Sequence, residues 1–194
     1  MDYIRLGQKL IVSAALAGVA LLGAPALAAD VEICEADKLT SAPAVAWMTD
    51  NAWRYQTEAQ AEIGYRSLLT GQSPWPDWFH PEVSVLMPGA RFQMAMSNGQ
   101  KNTQPGGFGT YDYLDSVGEV REYLAVLPEW KPDIDRIVTY QVKAPLIVSV
   151  GPIGPQVDQV GCKLYAGRFT QIQMLVSPAD RINYLTYISE RPVK

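Results

Sequence analysis

The chain has almost no histidine, very little cysteine and no cluster of basic residues. Its 194 residues include a single histidine, His80, and two cysteines, Cys34 and Cys162. Without a Cys-x-x-Cys pair or a second histidine, no ligand set has usable metal spacing, so no metal site is expected. Lysine and arginine number 16 against 20 acidic residues, a net charge of −4. Proteins that bind a phosphate backbone show basic clustering, so nucleic acid is excluded as a partner class. Gly106-Gly107-Phe108-Gly109 lacks the preceding strand and basic partner that dinucleotide binding requires, and no cofactor is expected. Carboxylates are also missing from the C-terminal strand-like stretches until Glu190.

What the N-terminus does have is an address. Arg5 and Lys9 precede an apolar run, Leu10 to Leu22, and Ala26-Leu27-Ala28 is a small-residue cleavage site. Residues 1–28 read as a signal peptide and residues 29–194 as one domain, with its core at about 44–191. An uncleaved anchor is the alternative, because Leu10 to Ala29 carries no charge and is about long enough to span a bilayer. Removing Asp2, Arg5 and Lys9 makes the chain one unit more negative. Export implies a periplasmic or secreted protein in an oxidising compartment, where Cys34 and Cys162 are expected to form a disulfide.

The C-terminal run Arg136 to Arg191 reads as an antiparallel sheet. In Phe169 to Val176, Thr170, Ile172, Met174 and Val176 face one side, and Phe169, Gln171, Gln173 and Leu175 the other. Ser177-Pro178-Ala179-Asp180 is a turn, and Ile182 to Glu190 the returning strand. Ile137–Val142 and Leu146–Val150 are β-branched runs flanking Ala144-Pro145: one bulged strand or two. Gly151 opens a loop expected to reach Cys162.

Upstream, Ala44–Trp53 and Thr57–Leu69 read as two helical pieces or one bent helix, with a capping box at Thr57 and a stop at Gly71. Val83–Met87 is a short strand ended by Pro88-Gly89. Ser116-Val117-Gly118-Glu119 caps a helix whose stripe is Val117, Val120, Leu124 and Leu127. Between them, Phe92, Met94 and Met96 alternate within a polar, glycine-rich segment, Ala90–Thr110. That segment reads as a flap over a cavity or a peripheral hairpin, and deleting Gln93–Gln104 is expected to spare folding under either reading.

Three stretches in this order resemble the nuclear transport factor 2-like (SnoaL-like, cystatin-like α+β) superfamily. They are Trp78-Phe79-His80-Pro81-Glu82-Val83-Ser84-Val85-Leu86-Met87-Pro88-Gly89, Ser116-Val117-Gly118-Glu119-Val120-Arg121-Glu122-Tyr123-Leu124, and Asp180-Arg181-Ile182. The resemblance covers about Ala61 to Glu190. It implies a cone-shaped half-barrel: a curved antiparallel sheet wrapped on N-terminal helices, with an internal, mostly apolar cavity.

The resemblance also implies where chemistry would sit, and there this chain departs from the family. Tyr65 matches the tyrosine of the isomerases' first long helix. Their two acids correspond to Met87 and Gln171, which cannot act as bases. The epoxide hydrolases' final-strand aspartate corresponds to Thr186. The leading reading is therefore a domain that binds a hydrophobic or amphipathic small molecule through Tyr65, Met87, Phe92, Met94, Gln171, Gln173 and Tyr187. An enzyme of lyase or isomerase type would use His80 as acid/base and Tyr65 as polarising donor. An envelope assembly module is the third reading, marked by an exposed apolar patch on the sheet's open face. A homodimer through the sheet is compatible with all three.

Overall fold

The computed structural model describes residues 34–71 and 73–194, so the signal-peptide reading of residues 1–28 lies outside the described residues. Along the chain run α1 (Ala42–Asn51), α2 (Glu58–Thr70), β1 (Val83–Leu86), β2 (Arg91–Ser97), β3 (Phe108–Gly109) and α3 (Val117–Glu122). They are followed by β4 (Ile134–Val142), β5 (Leu146–Pro152), β6 (Gln156–Asp158), β7 (Lys163–Tyr165), β8 (Thr170–Met174) and β9 (Leu185–Pro192). The fold is α+β and its strands pair antiparallel. One four-stranded sheet has the order β1-β5-β8-β3, and a three-stranded sheet has the order β2-β4-β9. A single bridge, Gln93 to Thr110, joins β2 to the end of β3, so the two sheets continue into one another as a curved wall.

Strand alternation decides what this wall encloses. Val148 pairs with Met174 and Val150 with Ile172 across β5 and β8, while Phe92 pairs with Tyr140 and Met94 with Val138 across β2 and β4. These residues turn inward and, with Val150 half-buried at the margin, form one buried cluster with Leu86, Met96, Val142, Leu146 and Leu185. The inside of the curved sheet is therefore filled with side chains. Gly109 is required at the seam, because a Cβ there would run into the Phe92 ring.

The helices pack elsewhere. Ser41 caps α1, its Oγ accepting from the Ala44 amide. Thr57 caps α2 by accepting from the Gln60 amide at 3.2 Å, and the Gln60 side-chain Oε1 accepts from the Gln56 amide at 3.1 Å. Trp47 of α1 and Ala61 and Tyr65 of α2 bury against Val157 and Leu164 of the β6–β7 hairpin. A disulfide between Cys34 and Cys162, with Cα atoms 5.2 Å apart, ties this layer together.

Several expectations change in detail. The segment read as a flap or a peripheral hairpin holds β2, β3 and the link between them: Phe92, Met94 and Met96 alternate because they face the core. The loop expected from Gly151 to Cys162 contains the short strand β6. The helix begun at Ser116 stops at Glu122, and Ala125 lies at φ 46°, which ends any helical stripe before Leu127. The run after Ala144-Pro145 is a separate strand, and a bulge lies instead in the β4–β9 pairing at Thr139/Tyr140.

Candidate ligand-binding cleft

β2 and β3 touch at only one bridge, and beyond it they splay apart. The Ala95 carbonyl, which a continued ladder would use, instead accepts from Lys131 Nζ at 2.8 Å. The Gly106 amide turns to the Met94 sulfur at 3.0 Å. The gap is a mostly apolar cleft of about 450 Å³. Gln93, Met94 and Ala95 of β2 border one side, and Gly106, Gly107, Phe108 and Gly109 the other. Gln171 and Gln173 of β8 reach it, as do Leu124, Val126, Trp130 and Lys131 from the segment after α3.

Each wall has a local cause. Ile172 and Met174 occupy the core, so alternation along β8 sends Gln171 and Gln173 to the opposite face. Gln173 is paired with Phe108, and Gln171 with Gly151, whose missing side chain leaves room for the Phe79 ring. Arg121 holds the other wall. Its Nη1 donates to the Val126 and Leu127 carbonyls at 2.9 and 3.0 Å, and its Nη2 donates to the Lys131 carbonyl.

Two polar groups in the cleft are unusual. Gln171 is 7% exposed, and its Nε2 has no hydrogen-bond partner. A buried amide left unpaired in this way costs about 1–3 kcal/mol. Lys131 donates to Ala95 and, at 3.2 Å, to Gln100 Oε1. Burial, and then the neighbouring Arg136 and Arg121 charges, pull its amine below the usual lysine range, with Asp133 opposing them.

Of the residues expected to bind a ligand, Met94, Gln171 and Gln173 line this cleft. Phe92 is in the core. Met87 is 62% exposed just past β1, and Tyr187 is exposed on β9, neither of them at the cleft. Tyr65 is fully buried among the helices, where its hydroxyl donates to the Ala36 carbonyl at 2.6 Å. His80 is exposed. The structure does not bring His80 and Tyr65 to one pocket. Sequence reasoning missed Trp130 and Lys131. The available signal was Trp130-Lys131 held between Pro128 and Pro132, an aromatic and a cation in a constrained link between helix and strand.

A charged patch lies apart from the cleft. Arg54 Nη1 donates to Asp77 Oδ1 at 2.7 Å, and the Tyr55 hydroxyl donates to Asp77 Oδ2. Burial and the Asp77 contact push the Tyr55 phenol up to about 12. Among the described residues no group of three His, Cys, Asp or Glu side chains could hold a metal ion.

No family model matches the chain, and no curated protein matches it. Solved structures do. One, described as "Structure of Tne2 in complex with Tni2", is 19% identical over 61% of this chain and 97% of that chain, with a TM-score of 0.51. "Rhs1-CT in complex with cognate immunity protein RhsI1" is 22% identical over 59% and 80%, with a TM-score of 0.41. "Structure of Tse6 in complex with Tsi6" is 14% identical over 74% and 91%, also at 0.41. At 19% identity the likeness to the first of these is one of fold: a curved antiparallel sheet with few helices.

Proposed function

We propose that this protein, in the periplasm or outside the cell, holds an amphipathic small molecule in the cleft between β2 and β3. The carrying observation is the unpaired Gln171 amide, buried in a mostly apolar cleft of about 450 Å³. Apolar clefts of this size with a few placed polar groups are the usual form of a small-molecule site. Phe108 and Trp130 suit an apolar or aromatic body, and the glutamines suit a hydrogen-bonding edge. The Cys34–Cys162 disulfide fits an oxidising compartment. Among the described residues no helix is long and apolar enough to cross a membrane. A fluorescence titration with N-phenyl-1-naphthylamine tests the reading. Saturable one-site binding at roughly 10 μM or tighter is expected, and the absence of saturable binding rejects it.

A protein partner is the second reading, favoured by the open face of the four-stranded sheet. Val85 lies opposite Ile147, and Val83 opposite Ser149. Val83, Val85, Ile147 and Leu175 are exposed there. The same row runs through Gln173 to Phe108 at the cleft rim. Tne2 was solved in complex with Tni2, and a second chain, or a second copy of this one, would cover such a face. Light scattering of the wild type and of a Val85→Glu, Ile147→Glu double variant tests the homodimer form. A dimer that the double variant dissolves supports it, and a monomeric wild type rejects it. The lyase or isomerase reading needs His80 and Tyr65 in one pocket, and that condition is not met.

A further inference from the structure

We infer that the cleft selects an anionic amphiphile, one whose apolar body carries a carboxylate- or sulfonate-like group received by Lys131. This rests on the small-molecule reading of the cleft and adds the charge of the ligand. An ammonium has three donors and no acceptor. Lys131 spends two, on the Ala95 carbonyl and Gln100 Oε1, and its side chain borders the cleft. No ion pair among the described residues includes it.

The charged groups around this amine do not neutralise it. Arg121, on α3, is turned to loop carbonyls. Arg136, on β4, is paired with Asp135 and Glu190. Asp133, at the end of the Lys131 loop, is exposed and makes no ion pair with it. A partly buried cation beside two others, without a carboxylate of its own, is relieved by an incoming anion. Gln171 strengthens the case from β8: its buried Nε2 is a second unsatisfied donor on the same cleft. Lys131 and the Gln171 Nε2 both want acceptor oxygens, and the ammonium, which has no acceptor, repels a cationic head.

A matched pair of fluorescent probes separates this inference from the reading beneath it. 1-Anilinonaphthalene-8-sulfonate carries a permanent anion, and N-phenyl-1-naphthylamine is its uncharged parent. At about pH 7 the sulfonate is expected to bind at least ten-fold tighter, about 1.4 kcal/mol. Lys131→Met should remove that preference, bringing the affinities of the two probes within about two-fold of each other. In the wild type the preference should also decline as pH rises from about 7 to about 10, because the ammonium is lost below the usual lysine value. That titration needs no variant and stands if Lys131→Met fails to fold. Equal binding of the two probes, a preference that survives Lys131→Met, or one unchanged by pH overturns the inference while the cleft reading stands. If neither probe binds, the cleft reading itself falls.

Discussion

Gln171 is placed where stability and binding oppose each other. Its amide is buried without a partner, and an apolar residue of similar shape would relieve that penalty. Gln171→Leu is therefore expected to stabilise the ligand-free protein by about 1 kcal/mol or more while weakening probe binding. Denaturant unfolding with and without probe measures both effects. Asp77 behaves differently. Burial pushes its carboxyl up, but the hydrogen bonds from Tyr55 and Arg54 and the Arg54 charge outweigh this and leave it below the ordinary 3.8. A group depressed in the folded state contributes stability above its unfolded pKa and loses it as pH falls through the folded value. The Tm of Asp77→Asn should thus fall below wild type at neutral pH, and the difference should shrink on acidification below about pH 4. A difference that grows in acid would contradict this. The contribution is small in any case, because the Asp77 side chain is 40% exposed.

At the scale of elements, β2 carries more of the fold than its composition suggests. Met96 and Phe92 are buried in the central cluster. Met96→Ala is expected to destabilise by about 2–5 kcal/mol, and a deletion of Gln93–Gln104 should not fold, because it removes most of β2. Circular dichroism and thermal melts check both. The alternation of Phe92, Met94 and Met96 was legible, but its meaning was not. Period two says that one face is apolar, and only the partners β4 and β3 tell whether that face meets a core or a ligand. The strands β4, β5 and β8 were legible because β-branched runs and alternation agree there. The helix after Ser116 was over-read, since its apolar spacing continues into residues that Ala125, at positive φ, takes out of the helix. β6 was invisible because a three-residue strand inside a Gly/Pro-rich stretch has no period to detect. In the cleft, Gln171 and Gln173 could be placed by alternation alone. Lys131 could not, because Arg121 holds the loop that carries it there, and the flanking Pro128 and Pro132 mark a constrained link without telling which face it meets.

For the molecule as a whole, the helical layer and the curved sheet have separate cores. The Cys34–Cys162 bond spans 128 residues and anchors the first of them. Closing a loop of that length restricts the unfolded chain by about 4–5 kcal/mol in the entropic account. Reduction should therefore lower the denaturant midpoint substantially, and an unchanged midpoint in reductant would count against a stabilising bond. The central claim, that the gap between β2 and β3 is a small-molecule site, is tested most directly by following backbone and glutamine amide resonances on titration with N-phenyl-1-naphthylamine. The account predicts saturable shifts concentrated at Gln93, Gly106, Gly107, Gln171 and Gln173, with His80, Tyr65 and Tyr187 unmoved. Shifts gathered instead on Val83, Val85 and Ile147, or no saturable shift at all, would contradict it.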